Sequence, residues 1–212
     1  MQAASVFTWT TLNAQTDFQV LPGATGAVEV ALVETFDSAT KTSILDDGGG
    51  LFSAGVAVER VGTAPSDPAS IENVANIDPA DIFEESPSGT NFITTSLTAL
   101  GGGILVESVD FLVPAAPPTI GDPDTRSIAL GTFTFTAGAV FQEQTMFRIH
   151  DNDPVTDDTV TADLFGFGAL DDVIGTFDFS ITVVPLPAAV WPAAALLGAA
   201  ALRRVARLRR AR

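Results

Sequence analysis

The chain has 212 residues, no cysteine, no tyrosine and a formal net charge of −16 at pH 7. The length suits one domain plus a terminal segment, and the absence of cysteine excludes a disulfide framework, thiolate catalysis and a Cys-ligated metal. All 26 acidic residues precede position 185, against only Lys41, Arg60, Arg126 and Arg148; 4 − 26 gives that part −22, which disfavours nucleic acid and anionic membranes as partners.

The first residues, Met1 to Trp9, contain no basic side chain and no apolar run. Ala3 and Ala4 suit the small-residue cleavage site of a secretory signal, so we expect the basic and apolar parts of that signal to lie upstream; a cytoplasmic tail-anchored protein is the alternative reading. Phe18 to Val20 and Ala27 to Phe36 then read as strands. Asp46-Asp47-Gly48-Gly49-Gly50 is a turn signal, followed by a strand from Leu51 to Val61. Residues 65–87 are rich in Pro, Asp, Asn and Glu. Asp67-Pro68 and Asp78-Pro79 each set a capping residue before a first-turn proline, which predicts two short helical turns.

Asn91 to Leu100 and Ile104 to Val113 read as strands of a hairpin that turns at Gly101-Gly102-Gly103. Ser127 to Thr136 alternates, with Phe133 and Phe135 on one face and Thr132, Thr134 and Thr136 on the other. Thr145 to Ile149 is a further strand. The last runs through Phe177, Phe179, Ile181 and Val183, alternating with Asp178, Ser180 and Thr182. Eight or nine short strands separated by turn signals predict an all-β sandwich over residues 1–183.

Candidate chemistry in this domain is sparse. Asp151, Asn152 and Asp153, with Asp157 and Asp158, form the densest group of oxygen ligands and the candidate Ca2+ loop. The loop lacks the glycine and terminal bidentate Glu of an EF-hand, and a solvated acidic turn is the alternative reading. Asp46, Asp47, Asp122, Asp124, Asp171 and Asp172 are weaker groupings of the same kind. His150 is the single histidine, so any Ser-His-Asp triad must use it, yet no Gly-x-Ser-x-Gly elbow is present. One histidine and no cysteine disfavour a zinc site. Glu84 and Glu85 are carboxylates of the type used in glycoside hydrolysis. The Gly48 to Gly50 run lacks the lysine of a phosphate loop. The expectation is no catalytic residue.

Residues 184–212 form a second region. No charged side chain occurs from Ile181 to Leu202. Pro185 and Pro187 hold their predecessors extended, so a helix begins at or after Ala188. The apolar segment 188–202 is short for a hydrocarbon core of about 30 Å, and snorkelling arginines lengthen its reach. Arg203, Arg204, Arg207, Arg209, Arg210 and Arg212 act as a stop-transfer element and place this end in the cytoplasm.

Val184, Pro185, Leu186, Pro187 and Ala188, followed by Trp191, an Ala/Leu/Gly span and the arginine cluster, resemble the VPLPA-CTERM sorting signal, a variant of the PEP-CTERM class of Gram-negative bacteria. Pro192 departs from the usual unbroken span. The resemblance implies recognition and cleavage near the motif by an exosortase, a membrane-embedded transpeptidase-like enzyme. It also implies export, transient residence in the inner membrane through the C-terminal helix, and a final place on the cell surface or outside the cell. Exopolysaccharide or other matrix proteins are the partners it implies there. The order of elements around Val28 to Leu32, Gly49 to Val56 and Leu130 to Thr136 is similar to cohesin-like jelly-roll domains, which make protein or glycan contacts. The expected function is that of a non-enzymatic surface or matrix protein. A secreted polysaccharide-active enzyme and a Ca2+-stabilised adhesin-type module are the alternatives.

Overall fold

The computed structural model describes residues 5–40, 43–45, 51–79, 92–98, 100–107, 119–120, 123–153, 159–163, 166–170 and 173–185. These residues form fourteen strands and one turn of 3-10 helix, Leu12–Ala14. The strands are β1 (Val6–Thr11), β2 (Asp17–Val20), β3 (Thr25–Thr35), β4 (Leu51–Val61), β5 (Ser70–Ala75), β6 (Phe92–Thr98) and β7 (Gly101–Glu107). They continue with β8 (Thr119–Ile120), β9 (Thr125–Thr136), β10 (Gln144–Asp151), β11 (Val160–Asp163), β12 (Gly166–Ala169), β13 (Ile174–Gly175) and β14 (Phe177–Val183).

The smaller sheet has the order β13-β1-β3-β9-β5, with β8 beside β9. The larger has the order β12-β11-β4-β10-β14-β2, with β7 beside β4 and β6 beside β7. Pairing is antiparallel except for β1 with β13 and β2 with β14. Alternation of apolar and polar residues gives each sheet one face that must leave water. Val28, Val30, Leu32, Phe133 and Phe135 of one sheet and Val56, Val58, Ile104, Phe147 and Phe179 of the other belong to a single buried cluster. The result is the predicted all-β sandwich. Phe147 and Phe179 stack at 5.4 Å, and Phe18 meets Phe135 and Phe179 edge-on at 6.3 and 5.6 Å, so aromatic contacts span the layers.

A bulge explains the length of β9. Its register with β3 shifts between Val30 and Ala31, where Gly131 and Ala129 are the successive partners. Without the extra residue, Ile128 and Leu130 would share the solvent side with Thr132 and Thr134. With it, they are buried on the same side as Phe133 and Phe135.

Two expectations are corrected, at Asp67-Pro68 and at Gly101 to Gly103, and β1 adds a strand to those expected. Val6–Thr11 lies past the possible cleavage site at Ala3 and Ala4 and forms a core strand carrying Phe7 and Trp9. Asp67-Pro68 does not start a helical turn; the chain bends there and enters β5, because Ile71 is drawn into the core and Ala69 N–H is taken up by Thr145 Oγ1 at 2.8 Å. Asp78 sits at a bend, its N–H bonded to Leu130 O at 2.8 Å, and residues 80–87 lie outside the described residues. Gly101-Gly102-Gly103 is not the hairpin turn but the start of β7. The reversal occurs before it, closed by Thr98 Oγ1, which accepts from Leu100 N–H at 3.2 Å and Gly101 N–H at 3.1 Å.

Candidate functional site

Two rows of side chains cross the outer face of the larger sheet. In register they read His150, Ala57, Gly103, Ser96 and Arg148, Glu59, Gly101, Thr98 on β10, β4, β7 and β6 respectively. Ala57, Gly101 and Gly103 are small, and His150, Glu59, Ser96 and Thr98 stand around them. That profile leaves an open groove of about 530 Å3, with Leu100 and Asn152 completing its rim.

Gly101 is required here by close approach to backbone rather than by a turn, and Gly103 lies under two side-chain ends. A Cβ on Gly101 would overlap the carbonyl of Val58, and one on Gly103 would overlap the Asn152 side chain and lie 2.9 Å from Ser96 Oγ. A glycine run next to a strand marks either a turn or a close backbone approach, and the approach is the one realised here.

His150 Nδ1 is 2.6 Å from the carbonyl oxygen of Asp151. A carbonyl only accepts, so Nδ1 carries the proton. Nε2 is 3.5 Å from Glu59 Oε2, beyond an ordinary hydrogen bond, and it makes no hydrogen bond of its own. A triad histidine needs a hydroxyl at that nitrogen. Among the described residues the groove is lined by one carboxylate, Glu59, whereas glycoside hydrolysis uses two across the scissile bond. Glu84 and Glu85 lie outside the described residues. What the groove offers is hydroxyls, an amide, an imidazole, one carboxylate and flat backbone, a set suited to binding polar chains.

The candidate Ca2+ residues are placed only in part. Asp151 ends β10 with the inward parity of Phe147 and Ile149 and is 8% exposed. Thr159 Oγ1 donates to its Oδ1 at 3.4 Å and itself accepts Gly55 N–H at 3.1 Å. Asn152 lines the groove on the opposite face, and Asp153 is exposed. The structure therefore does not bring the side chains of Asp151 and Asn152 to one point. Asp157 and Asp158 lie outside the described residues, and among the described residues no three His, Asp or Glu side chains are grouped to hold a metal. Of the weaker acidic groupings, Asp124 accepts from Ser38 Oγ and N–H at 2.5 and 3.1 Å; Asp46, Asp47, Asp122, Asp171 and Asp172 lie outside.

Four exposed or part-buried carboxylates join separate segments, and each has its pKa held below the ordinary value. For Asp17 the main cause is the hydroxyl of Thr182 at 2.7 Å, aided by Gln19 and Ser180. For Asp178 it is the two-pronged bond from Arg148, at 2.7 and 2.9 Å. For Asp124 it is Ser38, and for Glu143 the hydroxyl of Ser66. A carboxylate with a lowered folded pKa stabilises fully above its unfolded value and loses that contribution as pH falls through the folded one. The ordinary values are 3.8 for Asp and 4.5 for Glu. The melting temperature is therefore expected to fall once pH drops below about 4, and a melting temperature that still rises at about pH 3 contradicts this reading.

No protein-family model matches the chain, and no curated protein matches it. Solved structures do. The chain is similar to cohesin modules. A non-cellulosomal cohesin from the archaeon Archaeoglobus fulgidus aligns at TM-score 0.45 and 9% identity, over 85% of this chain and 92% of that one. A type III cohesin module of the cell-surface anchoring scaffoldin ScaE of Ruminococcus flavefaciens aligns at 0.42 and 9%, over 85% and 88%. AggA, the major subunit of aggregative adherence fimbriae type I from Escherichia coli, aligns at 0.30 and 10%, over 87% and 98%. At this level of similarity the sandwich assignment rests on the strand pairing itself.

The run Val184 to Ala188 follows directly on the last described strand. β14 closes at Val183, and Val184 N–H bonds to Val20 O at 2.8 Å, the last sheet contact among the described residues. Pro185 is already exposed. Leu186, Pro187, Ala188 and the six arginines lie outside the described residues, and among the described residues no helix is long and apolar enough to cross a membrane.

Proposed function

We propose that this protein is a non-enzymatic surface or matrix module of the adhesion type, exported and sorted through its C-terminal signal. The observation that carries the proposal is the junction at Val184 and Pro185. The last sheet contact among the described residues is made by the first motif residue, and the second motif residue is exposed. Cleavage between Pro185 and Ala188 by an exosortase-type enzyme falls after the last described strand and leaves the described sandwich whole. Segment 188–202 holds the precursor in the inner membrane, with Arg203 to Arg212 on the cytoplasmic side. The released domain, strongly acidic and soluble, contacts exopolysaccharide or matrix proteins through the groove of Glu59, Ser96, Thr98, His150 and Asn152. The hydroxyls, amide and imidazole among its described residues support binding.

The test is a double substitution, Pro185→Ala with Pro187→Ala, in the producing cell. The expected result is an unchanged melting temperature with loss of processing, so that the full-length form accumulates in the membrane. Normal processing of the double variant would remove the assignment of the motif.

A further inference from the structure

Sheet edges expose unpaired backbone groups, and folded proteins normally guard them with charge, bulges or shortness. Most free edges here follow that rule. β13 has two residues, and β2 and β12 have four each. β5 carries exposed Glu72 and a register shift between Ile71 and Asn73. β6 does not follow it. Its seven residues, Phe92-Ile93-Thr94-Thr95-Ser96-Leu97-Thr98, contain no charge and no proline. They pair with β7 in unbroken register from Phe92 with Glu107 to Thr98 with Gly101, and among the described strands nothing pairs with the other edge. Residues 93–98 are all exposed, including Ile93 at 43% and Leu97 at 49%.

We propose that two copies of this protein join antiparallel through β6, with the two-fold axis at Thr95. In that register Ile93 meets Leu97 of the second copy, Thr94 meets Ser96, and Thr95 meets itself. Exposed aliphatic side chains thus cover each other on one face, and hydroxyls face hydroxyls on the other. Charge selects this edge for self-pairing. A domain of −22 repels its own kind, and β6 is a seven-residue run where no like charges are brought together. An antiparallel pair keeps the sheet face, so both grooves open on the same side. Two grooves on one side give a repeating polymer two points of attachment.

The absence of native cysteine allows a register-specific test on the full chain. Paired antiparallel residues lie about 4.5–5.5 Å apart at Cα, within disulfide range. Thr95→Cys is expected to cross-link to a covalent dimer under mild oxidation about tenfold or more faster than Glu72→Cys on β5. Thr95→Asp, at the same exposed position, is expected to give a folded monomer by light scattering, and added salt is expected to strengthen the wild-type dimer by screening the acidic domains. Equal cross-linking rates at positions 95 and 72, or a Thr95→Asp chain that stays as dimeric as wild type, would overturn the proposal. So would a Thr95→Cys chain that cross-links in cells only to a different protein, which would give the edge to a foreign strand.

Discussion

Replacing Trp9 with alanine is expected to destabilise the domain by about 4 kcal/mol, the range for emptying a large aromatic from a core. Trp9 is fully buried on β1, and β1 lies between β3 and β13. Its neighbours in the core come from both sheets, so the cavity cannot collapse from one side alone. The indole N–H has no hydrogen-bond partner, so Trp9→Phe removes an unsatisfied donor along with some volume. That variant is expected to cost clearly less, about 1 kcal/mol. Urea unfolding followed by Phe and Trp-independent signals such as far-UV dichroism measures both. A shift below about 1 kcal/mol for Trp9→Ala would show that the N-terminal strand is not part of the cooperative core.

Glu34→Ala is expected to cost about 3 kcal/mol, for a different reason. Glu34 is fully buried on the inward side of β3. Its carboxylate accepts from Ser43 Oγ at 2.6 Å, Ile44 N–H at 2.9 Å and Leu45 N–H at 3.1 Å. Those bonds hold the segment that delivers Leu45 to the core, where it is fully buried. Alanine leaves the buried Leu45 N–H without its acceptor and releases Leu45. Glu34→Gln keeps an acceptor oxygen but turns an amide N–H2 toward a donor, so it recovers only part of the loss. Denaturant midpoints for the two variants, compared with Glu29→Ala on the same strand, separate this contact from a general loss of acid. Equal midpoints for Glu34→Ala and Glu29→Ala would contradict the role given to Glu34.

The strands with clean alternation were legible in the sequence. Phe177 to Val183 and Leu51 to Val61 have the predicted bounds, and Phe133 with Phe135 faces inward while the threonines between them do not. β1 was missed because its context suggested a cleavage region, although Phe7, Trp9 and Thr11 already share one parity. β5 was missed because proline and acids dominate its surroundings; long-range contacts with β9 override that local bias. The bulge at Gly131 was missed because period-two reading assumes an unbroken count. Glu34 was visible as an acid in the inward register of Val28, Val30 and Leu32, which is the usual sign of a buried, fully bonded carboxylate. The groove depends on cross-strand neighbours far apart in the chain, such as Ala57 with Gly103 and His150, and pairing of that kind is not written in any local pattern.

The most direct test of the account is the intact mass of the protein recovered from membrane and extracellular fractions of the cells that make it. The account predicts an extracellular species whose C-terminus falls between residues 185 and 188, with the whole sandwich retained. A full-length species confined to the membrane, with no shorter form outside, would contradict it.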